Sequence, residues 1–118
     1  MEAKAIARFV RGSYRKFKKY ADAVKGMTVR QARAVLEYAS SPRAKVVLKT
    51  ILSAFANLKY KKAPEEIDED DVRVFVKVDT GPILKRINPR GHGRIDIKKR
   101  RYSHVTAIVK EIEEEEEE

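Results

Sequence analysis

Three helices packed on a small antiparallel sheet, with a long β-hairpin protruding from it, is the α+β architecture this sequence predicts. Apolar residues repeat at helical spacing between cap signals in the first half of the chain, and they alternate at period two near both ends. Between the last two strands lies the stretch GPILKRINPRGHGRIDIKKRRYSHVT, with turn residues at its centre and a dense positive charge along both arms.

The elements follow in order. Residues 4–11 read as a first strand, with Ala5, Ala7 and Phe9 on one face at period two and Lys4, Ile6, Arg8 and Val10 on the other. Ser13 offers an N-cap, Phe17, Tyr20, Ala21 and Val24 repeat at helical spacing, and Gly26 suits a left-handed helix end, so residues 14–25 form the first helix. Thr28 and Gln31 have the spacing of a capping box for a second helix reaching about Ala39. Ser41 followed by Pro42 starts a third, because proline lacks only an amide hydrogen that the first turn does not use. Ala44, Val47, Leu48, Ile51, Leu52, Phe55 and Leu58 then make one apolar stripe, so most of the core hangs on this helix. Residues 61–71, KKAPEEIDEDD, read as a solvated acidic connection, since the order and glycine of a calcium loop are missing. Val72, Val74, Val76 and Val78 alternate with Arg73, Phe75, Lys77 and Asp79 in a second strand, and Val105, Ala107 and Val109 give the apolar face of the last.

A chain of 118 residues suits one domain. The expected division is a domain over residues 1–112, made of a body (1–80 and 102–112) and a hairpin (81–101), followed by a disordered acidic tail at 113–118. The absence of cysteine excludes disulfides, thiol catalysis and cysteine metal sites, and two histidines cannot build a zinc site alone. No metal or other cofactor is expected. No run of residues has the length and apolarity of a membrane span or a secretory signal, so a soluble, unprocessed protein is expected.

The net charge of +9 is unevenly spread. Residues 1–62 hold 16 basic and 3 acidic side chains, and residues 81–102 hold 8 and 1, whereas the segments between and after them are acidic. Two basic segments on one small fold point to a polyanion, and nucleic acid is the commonest one. In the hairpin, Lys85, Arg86, Arg90, Arg94, Lys98, Lys99, Arg100 and Arg101 repel one another with only Asp96 to offset them. Arms of ten residues reach about 30 Å at roughly 3.3 Å per residue, and an isolated two-stranded ribbon is marginal in water. A finger of this kind is expected to be mobile alone and ordered by RNA, whose phosphates and unpaired bases suit the planar guanidinium.

At these residues the sequence resembles the large-subunit ribosomal protein L-twenty-two family, bacterial type, also called universal uL-twenty-two. The likeness covers roughly residues 3–109. It is carried by Ala7-Arg8-Phe9-Val10-Arg11 leading into Ser13-Tyr14-Arg15-Lys16, by Ser53-Ala54-Phe55-Ala56-Asn57, by Gly81-Pro82-Ile83-Leu84-Lys85-Arg86, by the Pro89-Arg90-x-x-Gly93-Arg94 turn, and by Lys99-Arg100-Arg101-Tyr102-Ser103-His104-Val105-Thr106. Tyr14, Tyr102 and the Gly91-His92 pair depart from the usual pattern of proline, threonine, and alanine with a basic residue.

The resemblance implies a structural constituent of the large ribosomal subunit that binds 23S-type ribosomal RNA, supports assembly and lines the nascent-polypeptide exit tunnel with its hairpin tip. By position, the tip would be Arg90, Gly91, His92, Gly93 and Arg94, and the RNA-clamping stem Lys85, Arg86, Lys98, Lys99, Arg100 and Arg101. Arg8, Arg11, Arg15 and Lys16, with Lys18 and Lys19, would be the RNA contact of the body, and His104 would be hydrogen-bonded near the hairpin base or touch phosphate. Implied partners are large-subunit ribosomal RNA, neighbouring ribosomal proteins and the nascent chain, without membrane attachment or homo-oligomerisation, in cytoplasmic ribosomes.

Two other classes make different predictions. A freestanding RNA-binding or assembly factor on the same fold would bind many RNAs without residing in the subunit. A nuclease using His92 or the acids of residues 65–71 would need groups held within hydrogen-bond reach of one substrate, which a hairpin tip and a loop do not supply.

Overall fold

The computed structural model describes residues 1–89 and 91–112, and the backbone alone at positions 88, 95, 96 and 98. Arg90 of the expected tip and the expected acidic tail at 113–118 lie outside the described residues. The elements are β1 (Glu2–Arg11), α1 (Tyr14–Val24), α2 (Val29–Ala39), α3 (Pro42–Lys62), a 3-10 turn (Glu69–Asp71), β2 (Val72–Pro89) and β3 (Ile95–Glu111). The strands form one antiparallel sheet in the order β1-β3-β2, so the α+β fold expected from the sequence is the one observed.

The alternating residues line up across the sheet. Ala3, Val109 and Val74 form one row, Ala5, Ala107 and Val76 the next, and Ala7, Val105 and Val78 a third. On this face lie Phe17 and Val24 of α1, Val29 and Leu36 of α2, and Val47, Ile51, Phe55 and Leu58 of α3, all buried. Each large side chain so buried contributes about 1.5–3 kcal/mol. The helix starts are set locally. Thr28 Oγ1 accepts from the Gln31 amide at 3.3 Å while Gln31 Oε1 accepts from the Thr28 amide at 3.2 Å, and Ser41 Oγ accepts from the Arg43 amide at 3.3 Å.

Side chains and turns from the helical layer blunt both outer edges of the sheet, which limits pairing with other strands. Asn57 Nδ2 donates to the Lys4 carbonyl at 3.0 Å, and Lys61 Nζ donates to the Glu2 carbonyl at 3.1 Å, both on β1. On β2, Val74 exchanges backbone hydrogen bonds of 2.9 Å with Gly26 and Met27 in the turn between α1 and α2.

One sequence expectation fails in β1. Phe9 is not on the core face with Ala5 and Ala7 but is 61 % exposed. Ala7 pairs with Val105 and Val10 with Ser103, so Arg8 and Phe9 together oppose His104 in a β-bulge, and Phe9 takes φ 56°. The extra residue breaks the period of two and turns the ring outward.

A second bulge lies on the other side of β3. Thr80 pairs with Ser103 and Ile83 with Arg101, leaving Gly81 and Pro82 opposite Tyr102. Between the bulges, the buried Ser103 hydroxyl donates to the Gly12 carbonyl at 2.9 Å and the Gly12 amide donates to the Arg101 carbonyl at 2.9 Å. Glycine is required at two points here. A Cβ on Gly81 would lie 2.8 Å from the Tyr102 carbonyl oxygen, and one on Gly12, whose φ is +144°, would lie 2.6 Å from the Phe17 ring.

Beyond this root, β2 and β3 continue as a two-stranded ribbon, paired from Ile83 and Arg101 to Pro89 and Ile95. Positive φ at His92 and Gly93 reverses the chain at the tip. The molecule measures 66 × 25 × 25 Å, with a radius of gyration of 17.8 Å, against about 13–14 Å for a compact chain of this length. The long axis is the ribbon's contribution.

Candidate nucleic-acid interface

Two groups of charges differ in their partners. Most carboxylates of the body face a basic partner on α2, on α3 or across the strand ends. Arg30 pairs with Asp68 at 3.2 Å and with Asp70 at 3.1 Å, and Arg33 pairs with Glu69 at 2.8 Å. Lys62 pairs with Glu111 at 2.7 Å, and Lys110 with Glu2 at 3.7 Å. The acidic connection is therefore not simply solvated, because three of its acids lie against α2. The two Arg30 pairs are exposed and add little stability. Their effect is to cancel the positive charge of α2.

The second population is unopposed. Arg8 and Arg11 on β1, Arg15, Lys16, Lys18 and Lys19 on α1, Lys85 and Arg86 on β2, and Lys99 and Arg101 on β3 are exposed, and Arg100 is half-buried. Among the described residues, none of these side chains is paired with a carboxylate, and Arg94 at the exposed tip is likewise unpaired. Lys98 is placed by its backbone opposite Arg86. Gly91, His92 and Gly93 are exposed at the reversal.

α1 brings its cations to the ribbon because its N-terminus starts at the root, two residues after the Gly12 amide bonds Arg101. Its buried face is Phe17, Ala21 and Val24, which leaves Arg15, Lys16, Lys18 and Lys19 in solvent. The residues expected to act together thus fall into a stem group, a tip group and an α1 group that meets the stem at the root. Arg8 and Arg11 belong to the same root through β1, since Arg11 pairs with Tyr102.

His104 has a structural position, as expected near the hairpin base. Its Nδ1 accepts the Phe9 amide at 3.1 Å, and its ring meets the Phe9 ring edge-on with centroids 4.9 Å apart. This contact is not legible in the sequence, where a period of two places Phe9 with Ala5 and Ala7. Nor is the cleft that Tyr14 and Tyr102 line with Arg15 and Arg101.

Among the described residues, no three histidine or acidic side chains are grouped to hold a metal ion, and no helix is long and apolar enough to cross a membrane.

The family model described as ribosomal protein L22p/L17e matches residues 5–110. The chain belongs to this family of ribosomal proteins. Curated members named large ribosomal subunit protein uL22 are similar over almost their whole length. That of Thermus thermophilus is 45 % identical, with 94 % of this chain and 96 % of the relative covered. That of Desulforamulus reducens is 43 % identical over 97 % and 99 %, and that of Fusobacterium nucleatum 43 % identical over 92 % and 96 %. The family consists of structural ribosomal proteins rather than enzymes, which removes the nuclease reading.

Proposed function

We propose that this protein is a structural component of the large ribosomal subunit, in bacterial-type cytoplasmic ribosomes, that binds large-subunit ribosomal RNA through the unopposed basic surface. The observation that carries this reading is the division of charge. Most acids of the body are engaged on α2, on α3 and at the strand ends, while the cations of α1, the root and the ribbon have no carboxylate partner among the described residues and can meet phosphate.

In this reading Lys85, Arg86, Lys98, Lys99, Arg100 and Arg101 neutralise RNA that surrounds the ribbon on both sides. Arg8, Arg11, Arg15, Lys16, Lys18 and Lys19 fix the body on an adjoining RNA segment. A ribbon with exposed Ile83, Leu84, Ile87 and Ile97 and so much like charge gains more from a surrounding polyanion than from solvent. Its tip, of which Gly91 to Arg94 are described at the reversal, lines the path of the nascent polypeptide, with Arg90 beside them in sequence. The body contacts neighbouring ribosomal proteins, supports subunit assembly and does no chemistry.

Neutralising residues 98–101 tests the reading. Binding to large-subunit RNA should weaken and its salt dependence should flatten, because fewer counterions are released. An unchanged salt slope contradicts the assignment of the stem.

A further inference from the structure

A cleft of about 400 Å³ opens where the first turn of α1 faces the ribbon root, with Tyr14, Arg15, Ile83, Arg101 and Tyr102 in its walls. We propose that this cleft receives a single unpaired RNA base, stacked against the tyrosine rings and Ile83, with the flanking phosphates on Arg15 and Arg101. The inference rests on the RNA-binding reading above and names what this part of the surface takes.

Size and chemistry both favour a base. Clefts of about 300–1,000 Å³ suit small ligands, and a planar heterocycle needs apolar or aromatic walls with a few polar groups at its edge. Tyr14 and Tyr102 are half-buried and Ile83 is 51 % exposed. The hydroxyls of Ser13 and Thr80 line the same cleft. Ser13 stands at the N-cap of α1, yet its hydroxyl bonds none of the helix amides, so it is available to the edge of a ligand. Bases stack on aromatic faces and on guanidinium planes in just such settings.

The electrostatics select a phosphate-linked ligand. The lining includes two arginines and no carboxylate, and among the described residues neither arginine is paired. A second cleft on the far side of Tyr14 provides the contrast. It has Lys18 and Lys77, but Asp22 and Asp79 as well, and Lys77 already lies 3.9 Å from Asp79. Carboxylates at that site oppose a phosphate, whereas the root cleft has none.

The cleft is also held open by its backbone. The Gly12 to Arg101 hydrogen bond and the Ser103 to Gly12 hydrogen bond join the start of α1 to β3, and Gly81 lies directly on the Tyr102 carbonyl. Walls fixed in this way lower the ordering cost of capturing a base.

The test uses the full-length protein carrying 3-fluorotyrosine, with resonances assigned by single Tyr→Phe variants. Fluorine NMR then follows titration with a ten-nucleotide oligoadenylate and with an abasic strand of the same length. The Tyr14 and Tyr102 signals should shift with oligoadenylate, while those of Tyr38 and Tyr60, which are 91 % and 86 % exposed, stay in place. The abasic strand should bind without moving either cleft tyrosine. The double variant Tyr14→Leu, Tyr102→Leu should weaken oligoadenylate binding about tenfold and leave the abasic strand's affinity unchanged. Binding of oligoadenylate with both cleft signals unmoved overturns the base cleft and leaves the RNA-binding reading standing. Failure of both strands to bind overturns both readings. The same two shifts with an oligoglutamate peptide, absent with oligoadenylate, would assign the cleft to an acidic peptide instead.

Discussion

The Phe9 amide donates to His104 Nδ1 at 3.1 Å while the two rings meet edge-on, so one histidine holds both the backbone and the side chain of a bulged residue. A phenylalanine at φ 56° is strained, and this contact stabilises it. His104→Ala should cost about 1 kcal/mol in urea denaturation. His104→Asn, which restores an acceptor near the Nδ1 position, should recover part of the loss. Equal losses in the two variants would show that the hydrogen bond is not what matters.

The ribbon leaves the body at a joint that tolerates no added carbon. Gly81→Ala places a methyl 2.8 Å from the Tyr102 carbonyl oxygen, and neither backbone can yield without disturbing the bulge. A loss of about 1–3 kcal/mol is expected, read as a lower thermal midpoint. Gly26→Ala provides a control of a different kind, since nothing lies near its Cβ and only its positive φ resists the change. A Gly81→Ala protein as stable as the parent would contradict the joint.

Much of the fold was legible because its signals are local. The Thr28 and Gln31 capping box, the Ser41-Pro42 start and the stripe from Ala44 to Leu58 each declare themselves within one or a few turns. Phe9 was misplaced because a period of two continues through a bulge on paper but not in a sheet. The pairing of Asp68, Glu69 and Asp70 with Arg30 and Arg33 was hidden for another reason. It joins segments far apart in the chain, and the same acids read as solvated when taken alone. The basic residues of the interface were legible as a set. Their freedom from ion pairs was not, since it depends on where every acid goes.

Arg30 should be a poor RNA ligand despite its exposure. Asp68 and Asp70 already face it, and the charge that remains is screened beyond about 8 Å at physiological ionic strength. Arg30→Gln should leave the salt dependence of RNA binding unchanged, whereas Arg101→Gln should lower it. The reverse order would show that α2, not the ribbon root, meets the phosphate backbone.

Glu111 ties the end of β3 to α3. Burial raises its pKa, but the hydrogen bond and charge of Lys62, with the Met1 amino group adding, outweigh burial and hold it below the ordinary carboxylate range. A pKa lower in the folded than in the unfolded state gives stability that is complete above the unfolded value of about 4.3. That stability is lost as the pH falls through the folded value. Glu111→Gln should therefore cost about 1 kcal/mol at pH 7, and the gap from the parent should close in urea melts taken progressively below pH 4. A gap independent of pH would contradict the ion pair.

The central claim is that RNA grips the ribbon and the α1 cations together inside the large subunit. Crosslinking of this protein to RNA in purified large subunits, with joined residues and nucleotides mapped, tests it most directly. The account predicts crosslinks from the stem and from α1 to large-subunit RNA, and from the tip to nucleotides lining the exit path. Absence of the protein from the subunit, or crosslinks confined to α2 and the acidic turn, would contradict it.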